Sequence, residues 1–219
     1  MNKLIKVAVD AMGGDNAPQK IIDGIELHHK KSKNTFYRLF GNKNIIEPSI
    51  NKKSIDNNFF EIIHTEDKIK GEDTAFAAAK RGKNTSMWLA IESVKNKTSD
   101  IIISAGNTGA LLIIAKLNLK MIENIDKPAL SGLWPSKKGM SVVLDLGANI
   151  ECSDKNLIDF SIMGSSLFNS LFPEEKAKVA LLNIGSEEVK GNEVIKETYK
   201  KLNQISNEDF EFKGFIEGN

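Results

Sequence analysis

The chain has 219 residues, 41% hydrophobic and 27% charged, with 30 Lys and Arg against 29 Asp and Glu for a formal charge of +1. This balance excludes a protein built mainly to neutralise nucleic-acid phosphates, and the single cysteine, Cys152, excludes an internal disulfide and fits a reducing cytosol. No apolar run approaches the roughly 20 residues that span a bilayer, and no secretory signal is visible, so we expect a cytoplasmic protein, with membrane-surface association left open.

Short apolar runs alternate with stretches of helical spacing along almost the whole chain. The pattern predicts strands at residues 4–10, 35–40, 59–64, 100–104, 129–134, 140–146, 178–183 and 210–215. It predicts helices at residues 18–31, 74–80, 86–97, 109–119, 154–171 and 187–204. This alternation favours a doubly wound, mostly parallel α/β sheet in a single domain, 1–219, which ends where a further loop and helix are expected.

Two features refine the predicted sheet. The runs 101–103, 142–144 and 179–182 are continuously apolar, which is typical of strands covered on both faces. The runs 130–134 and 140–144 flank a polar stretch that contains proline and glycine. We therefore expect an antiparallel hairpin beside the parallel strands.

The loop after the first predicted strand, residues 10–18, is the most informative segment. Gly13 and Gly14 allow a sharp turn whose N–H groups are uncovered by side chains, and Pro18 suits the first turn of a helix. Free N–H groups and the helix dipole together attract an anion. A tight turn that binds nothing is the alternative interpretation.

Three later loops combine glycine with Asn, Ser, Thr or Asp in the same way. They lie at residues 104–110, 145–149 and 183–191, each after a predicted strand. Ligands of open α/β sheets bind at the carboxyl ends of the strands, so we expect these loops and the first to form one polar pocket. The chain has no dinucleotide fingerprint, no Walker-type loop and no nucleophile elbow, and its His and Cys spacing predicts no metal site.

Several residues near these loops have competing interpretations. Cys152 is a candidate acylated nucleophile, but no histidine base lies close in sequence, so a semi-buried structural role is favoured. His64 ends a predicted strand, and a catalytic role is the weaker interpretation, whereas His28 and His29 are expected to be solvated at a helix end. Lys190 is predicted in the first turn of the last helix, where it opposes the dipole unless an anion offsets it.

Two basic stretches are further candidates. Residues 81–86 join two predicted helices and could clamp phosphate or the acidic face of a partner, or form a solvated turn. Lys196, Lys200 and Lys201 could meet an acidic partner protein, although a solvated helix face is the favoured interpretation.

Four motifs in chain order resemble the PlsX family of bacterial phosphate acyltransferases. They are residues 10–15 with Pro18, 104–110, 144–149, and 182–185 followed by Lys190 and Gly191. The resemblance covers essentially the whole chain from Val7. It departs from the family at Thr85, where members often have serine, and at the end, because members continue well past Asn219.

The resemblance implies an activity, a fold and partners. It implies transfer of a fatty acyl group from acyl carrier protein to inorganic phosphate, which feeds phospholipid synthesis and needs no cofactor. It implies a three-layer α/β/α sandwich like isocitrate and isopropylmalate dehydrogenases, as in phosphotransacetylases. It also implies a homodimer and membrane contact through a C-terminal element that a truncated chain lacks. The alternatives are a phosphotransacetylase-like enzyme that uses coenzyme A, and a non-catalytic anion-binding fragment.

The resemblance and the loop residues together give a hypothesis for the site. A phosphate oxygen attacks a thioester carbonyl, so the site must hold a dianion and stabilise an oxyanion. The candidate catalytic residues are Asn107, Thr108, Asn149 and Lys190. The candidate phosphate- or substrate-binding residues are Asp10, Gly13, Gly14, Asp15, Asn16, Ser104, Gly106, Asp145 and Gly185, with the aspartates expected to orient loops. On this hypothesis Asn107→Ala lowers turnover far more than it affects folding.

Overall fold

The computed structural model describes residues 4–136, 139–187, 190–205 and 209–218. The chain divides into two compact units, Met1–Lys120 and Met121–Asn219. Each unit is described by itself below, and the single domain expected over 1–219 stays a prediction.

The first unit alternates strands and helices. Its strands are β1 (Ile5–Asp10), β2 (Thr35–Gly41), β3 (Phe60–His64) and β4 (Ile101–Ser104). Its helices are α1 (Gln19–Lys31), α2 (Lys43–Ile50), α3 (Ala75–Arg81), α4 (Ser86–Lys95) and α5 (Thr108–Leu119), and short 3-10 turns occupy Asn57–Phe59 and Gly82–Asn84. The strands form one parallel sheet in the order β3-β2-β1-β4, so the strand that enters the glycine loop at residue 10 lies inside the sheet.

Helices cover both faces of this sheet. Alternate residues of β1 point to opposite faces, so the strand contributes to an apolar core on each side. Val7 and Val9 pack with buried residues of α1 and α2, including Ile22 and Ile46. Ala8, on the opposite face, packs with Ala90 of α4. The first unit is therefore a three-layer α/β/α arrangement whose parallel strands confirm the predicted topology.

Strand β4 departs from the expectation that continuously apolar strands are covered on both faces. Ile101 and Ile103 are 51% and 55% exposed, whereas Ile102 packs into the core. The physical reason is its place at the sheet edge: the core under α1 and α2 is built on β1 and β2 and includes no residue of β4.

The second unit contains a hairpin and a separate parallel pair. Strands β5 (Ser131–Ser136) and β6 (Gly139–Leu144) are antiparallel, which confirms the predicted hairpin. Helix α6 (Asp154–Leu171) follows, and then β7 (Ala177–Leu182), α7 (Glu193–Gln204) and β8 (Phe210–Ile216), with β7 and β8 parallel. Leu181, Leu202 and Phe215 form the centre of the apolar core of this unit.

The structure corrects three sequence-based expectations. Helix α2 was not predicted, because Pro48 lies inside it and Asn42 and Asn44 resemble loop residues. Helix α7 begins at Glu193 with Asn192 as its cap, not at residue 187, so Lys190 precedes the helix. His29 is buried rather than solvated and packs edge-on against Phe59, so burial lowers the pKa of His29.

Within the described residues, every helix is too short or too polar to cross a bilayer.

Candidate functional site

The loops after β1 and β4 are in close backbone contact at the carboxyl end of the first sheet. Asp10 and Ser104 are register partners where these adjacent strands end. Gly14 adopts a φ of +88°, and a Cβ atom built on it would lie 2.5 Å from the carbonyl oxygen of Ala105. A Cβ built on Gly13 would lie 3.0 Å from the backbone nitrogen of Gly106. Only glycine permits this backbone-to-backbone contact, so the two loops form one structural feature.

The carboxylate of Asp10 lies beneath these loops and is 1% exposed. Its Oδ1 accepts a hydrogen bond from Ser86 Oγ at 2.6 Å, and its Oδ2 accepts one from Ser104 Oγ at 2.7 Å. Burial raises the pKa of Asp10, while these hydroxyls and the N–H groups of Met12 and Gly13 act in the opposite direction. These four donors of the chain hold the carboxylate in place, as expected of a residue that orients loops.

Asn107 caps helix α5 and also ties it to another loop. Its Oδ1 accepts from Ala110 N at 2.9 Å. Its Nδ2 donates to the carbonyl oxygens of Gly71 and Asp73, each at 2.9 Å. Both N–H donors and the oxygen of this side-chain amide thus have partners inside the first unit. Thr108, the first helical residue, is exposed.

Asp145, Asn149 and Cys152 form a second cluster, in the loop after β6. Asn149 Nδ2 donates to Asp145 Oδ1 at 3.0 Å and to the carbonyl oxygen of Pro128 at 3.1 Å. The thiol of Cys152 donates to Asp145 Oδ2 at 3.2 Å. Burial and the neighbouring Asp145 carboxylate raise the pKa of Cys152 to about 11. The residue is therefore a protonated thiol at neutral pH, which opposes a nucleophilic role.

This environment predicts slow alkylation of Cys152. Because its pKa is about 11, its thiolate fraction at pH 8 should be about 100-fold below that of an ordinary cysteine, and the rate with iodoacetamide should fall accordingly. In urea, where the Asp145 contact is lost, the rate should rise to the ordinary value. Asp145→Asn should speed the native reaction, and equal rates for native and unfolded protein would contradict the assignment.

Gly185 and Lys190 come together in the loop after β7. A Cβ on the buried Gly185 would lie 3.0 Å from Lys190 Nζ, so the lysine side chain lies over this glycine. Lys190 Nζ also contacts Glu187 Oε1 at 3.0 Å, and this hydrogen bond lowers the pKa of Glu187. The ammonium group is thus positioned by a carboxylate of its own loop and remains about half exposed.

The remaining candidates have mostly local partners. Arg81 pairs with Asp73 beside a cavity of about 230 Å³, and His64 Nδ1 accepts from Lys43 N at 3.1 Å. Asp15 and Asn16 lie exposed in the first loop, where Asn16 has a φ of +59°. The lysines of the basic stretch on α7 all contact carboxylates of Glu193, Glu197 or Asp154, as expected of a solvated helix face.

Within the two units, the structure brings nine of the thirteen candidate site residues together in three local groups. One comprises Asp10, Gly13, Gly14, Ser104 and Gly106, the second Asp145 and Asn149, and the third Gly185 and Lys190. Sequence reasoning missed Ser86 as part of the first group, because Ser86 bonds to a residue 76 positions away and local sequence carries no signal for that contact. Among the described residues, no group of three or more His, Cys, Asp and Glu side chains could hold a metal ion.

Comparison with solved structures shows that the chain shares its fold with phosphotransacetylases. The chain aligns over 98% of its length with EutD phosphotransacetylase from Staphylococcus aureus (TM-score 0.67, 13% identity, 69% of that chain). It aligns over 99% of its length with a phosphotransacetylase from Streptococcus pyogenes (TM-score 0.68, 14% identity, 69% of that chain). These likenesses confirm the predicted α/β fold class.

Sequence comparison then assigns the family. The model of the fatty acid synthesis protein family matches residues 5–219, and the chain belongs to that family, as the PlsX-like motifs predict. A phosphate acyltransferase of Pelagibacter ubique is 73% identical over all 219 residues, and one of Paramagnetospirillum magneticum is 37% identical over the same length. The chain spans 65% and 62% of these two relatives.

Proposed function

We propose that this protein is a phosphate acyltransferase that transfers a fatty acyl group from acyl carrier protein to inorganic phosphate. The acyl phosphate is then available for phosphatidic acid synthesis. The single observation that carries the proposal is the family membership, with relatives named phosphate acyltransferase. The interlocked glycine loops of the first unit support it, because backbone N–H groups beside the N-terminus of α5 are suited to hold an oxyanion.

In the proposed reaction, a phosphate oxygen attacks the thioester carbonyl and the carbon–sulfur bond breaks. The acyl group ends on phosphate, and the carrier leaves as a thiolate. The loops that carry Gly13, Gly14 and Gly106 hold phosphate in the first unit, and the role of Lys190 stays a prediction. Thr108 donates to a developing oxyanion, a contact of the kind worth roughly 3–4 kcal/mol. Because both N–H donors of its amide bond to carbonyl oxygens of the chain, Asn107 acts by positioning α5. Asn149 likewise acts by positioning, since its amide donates to Asp145.

Trapping of the product tests this function. The chain and the longer Pelagibacter ubique relative are each mixed with fatty acyl-carrier thioester, phosphate and hydroxylamine, and acyl hydroxamate is measured. We expect hydroxamate that depends on phosphate, with a phosphate-free reaction as the control for direct attack on the thioester. Absence of phosphate-dependent product with the longer relative would contradict the proposal.

A parallel reaction separates the two alternatives. If coenzyme A thioester supports the reaction and the carrier thioester does not, the protein is a phosphotransacetylase-like enzyme, similar in activity to the structural neighbours. Phosphate binding by calorimetry without turnover of either donor would indicate an anion-binding module. We further propose a cytoplasmic homodimer with peripheral membrane contact, which rests on the resemblance to the PlsX family.

A further inference from the structure

Three segments that are distant in sequence meet at one buried carboxylate. Asp10 comes from the end of β1, Ser104 from the end of β4, and Ser86 from the first turn of α4. Asp10 and Ser86 are each 1% exposed, so this contact is shielded from water. A buried carboxylate without partners would be strongly unfavourable, and the two hydroxyl donors and the N-terminus of α4 offset that cost.

The same contacts extend to the backbone of the glycine loops. Ser104 Oγ, which donates to Asp10, also accepts from Gly106 N at 3.1 Å. A Cβ on Gly106 would lie 3.4 Å from Asp10 Oδ2 and 3.0 Å from the methyl carbon of Met87 in α4. The position of Gly106 therefore follows from the chain of bonds that begins at Ser86.

Ser86 also fixes a fourth segment. Its backbone N–H donates to the carbonyl oxygen of Asp67 at 3.0 Å, and the preceding residue, Thr85, caps α4 through its side chain. The backbone of Ser86 is thus held independently of its hydroxyl. Removal of the hydroxyl alone should leave α4 in place and release only the Asp10 carboxylate.

We propose that Ser86 is a positioning residue that, through the carboxylate of Asp10, sets the spacing of the Gly13 and Gly106 loops for phosphate. The proposal rests on the proposed function and extends it to a residue that would touch neither substrate. Loss of the Ser86 hydroxyl leaves Asp10 Oδ1 short of a donor in a buried place, so the carboxylate shifts and the loops that depend on it change their separation.

The experiment compares Ser86→Ala with Ser86→Thr and with Ser93→Ala. Ser93 is a matched control because it is also a buried, hydrogen-bonded serine of α4, but its hydroxyl bonds to Ala90 and Ser99 instead of Asp10. Binding of inorganic phosphate is measured by calorimetry, and KM values for phosphate and for the acyl carrier thioester are measured by product trapping. Thermal unfolding is recorded for every variant.

We expect Ser86→Ala to raise the Kd and the KM for phosphate at least tenfold while the KM for the thioester changes less than twofold. Ser86→Thr, which keeps the hydroxyl, should restore phosphate binding to within threefold, and Ser93→Ala should leave it unchanged. Equal effects of Ser86→Ala and Ser93→Ala on phosphate binding would overturn the proposal, as would a wild-type protein that binds no phosphate. If Ser86→Ala does not fold, Ser86→Cys, which keeps the size of the side chain but replaces the hydroxyl with a weak thiol donor, decides the question by the same measurements.

Calorimetry also keeps the two proposals separate. Phosphate binding that depends on Ser86 in a protein without turnover would leave the positioning role intact and reject the acyltransferase. Turnover together with a phosphate affinity that does not change when the Ser86 hydroxyl is removed would reject the positioning role and leave the acyltransferase intact.

Discussion

Gly14→Ala is expected to destabilise the first unit by about 2–4 kcal/mol and to abolish phosphate-dependent product formation. The backbone of Gly14 is left-handed, with a φ of +88°, which L-residues adopt only at a cost. The added methyl would also lie 2.5 Å from the Ala105 carbonyl oxygen, which is backbone and cannot rotate away. The loops after β1 and β4 must therefore separate.

Urea unfolding followed by fluorescence measures this effect. The chain has two tryptophans, so Trp134→Phe leaves Trp88 of α4 as the only probe and reports on the first unit. Gly24→Ala is the matched control, because Gly24 lies exposed in α1 with no atom within 4 Å of the added Cβ. That variant should be more stable by about 0.5–1 kcal/mol. If both alanine variants had the same stability, the proposed contact between the two loops would be wrong.

Asn107→Ala is the second change with a large expected effect, a loss of about 2–4 kcal/mol together with lower turnover. A helix cap contributes about 1 kcal/mol and each neutral hydrogen bond roughly 0.5–1.5 kcal/mol. The amide of Asn107 supplies a cap and two bonds to Gly71 and Asp73. Sequence reasoning predicts an effect on turnover far larger than that on folding, whereas these contacts predict a clear effect on both.

Two further variants show how much of this loss of stability comes from the helix cap and how much from the two donated hydrogen bonds. Asn42→Ala removes only a cap, since Asn42 Oδ1 accepts from Asn44 N at the start of α2, so about 1 kcal/mol is expected. Asn107→Asp keeps the capping oxygen but loses both donated bonds and should be nearly as unstable as Asn107→Ala. The same Trp88 signal measures both, and wild-type stability of Asn107→Asp would show that the tie to the loop at residues 71–73 contributes nothing.

The sequence by itself determined the order and type of most elements. Apolar periodicity is a local property, so strands β1 to β8 and most helices could be located from neighbouring residues alone. It also determined which loops carry glycine and polar residues, and their order supported the family assignment. Sequence reasoning missed helix α2 because Pro48, a residue that usually ends helices, lies inside it. It also placed the start of α7 too early, since glycine and polar residues precede Asn192 and the helix begins at Glu193.

Only the tertiary structure decided what the loop residues do. Asp10 and Ser86 are 76 positions apart, and their hydrogen bond exists because α4 packs on the sheet face that carries Ala8. Asn107 resembles a free donor in the sequence, but its amide is occupied by carbonyl oxygens from a loop 34 to 36 residues earlier. The pKa of Cys152 depends likewise on its burial and on the approach of Asp145. Hydrogen bonding and burial depend on which segments meet in space, and local sequence does not encode that information.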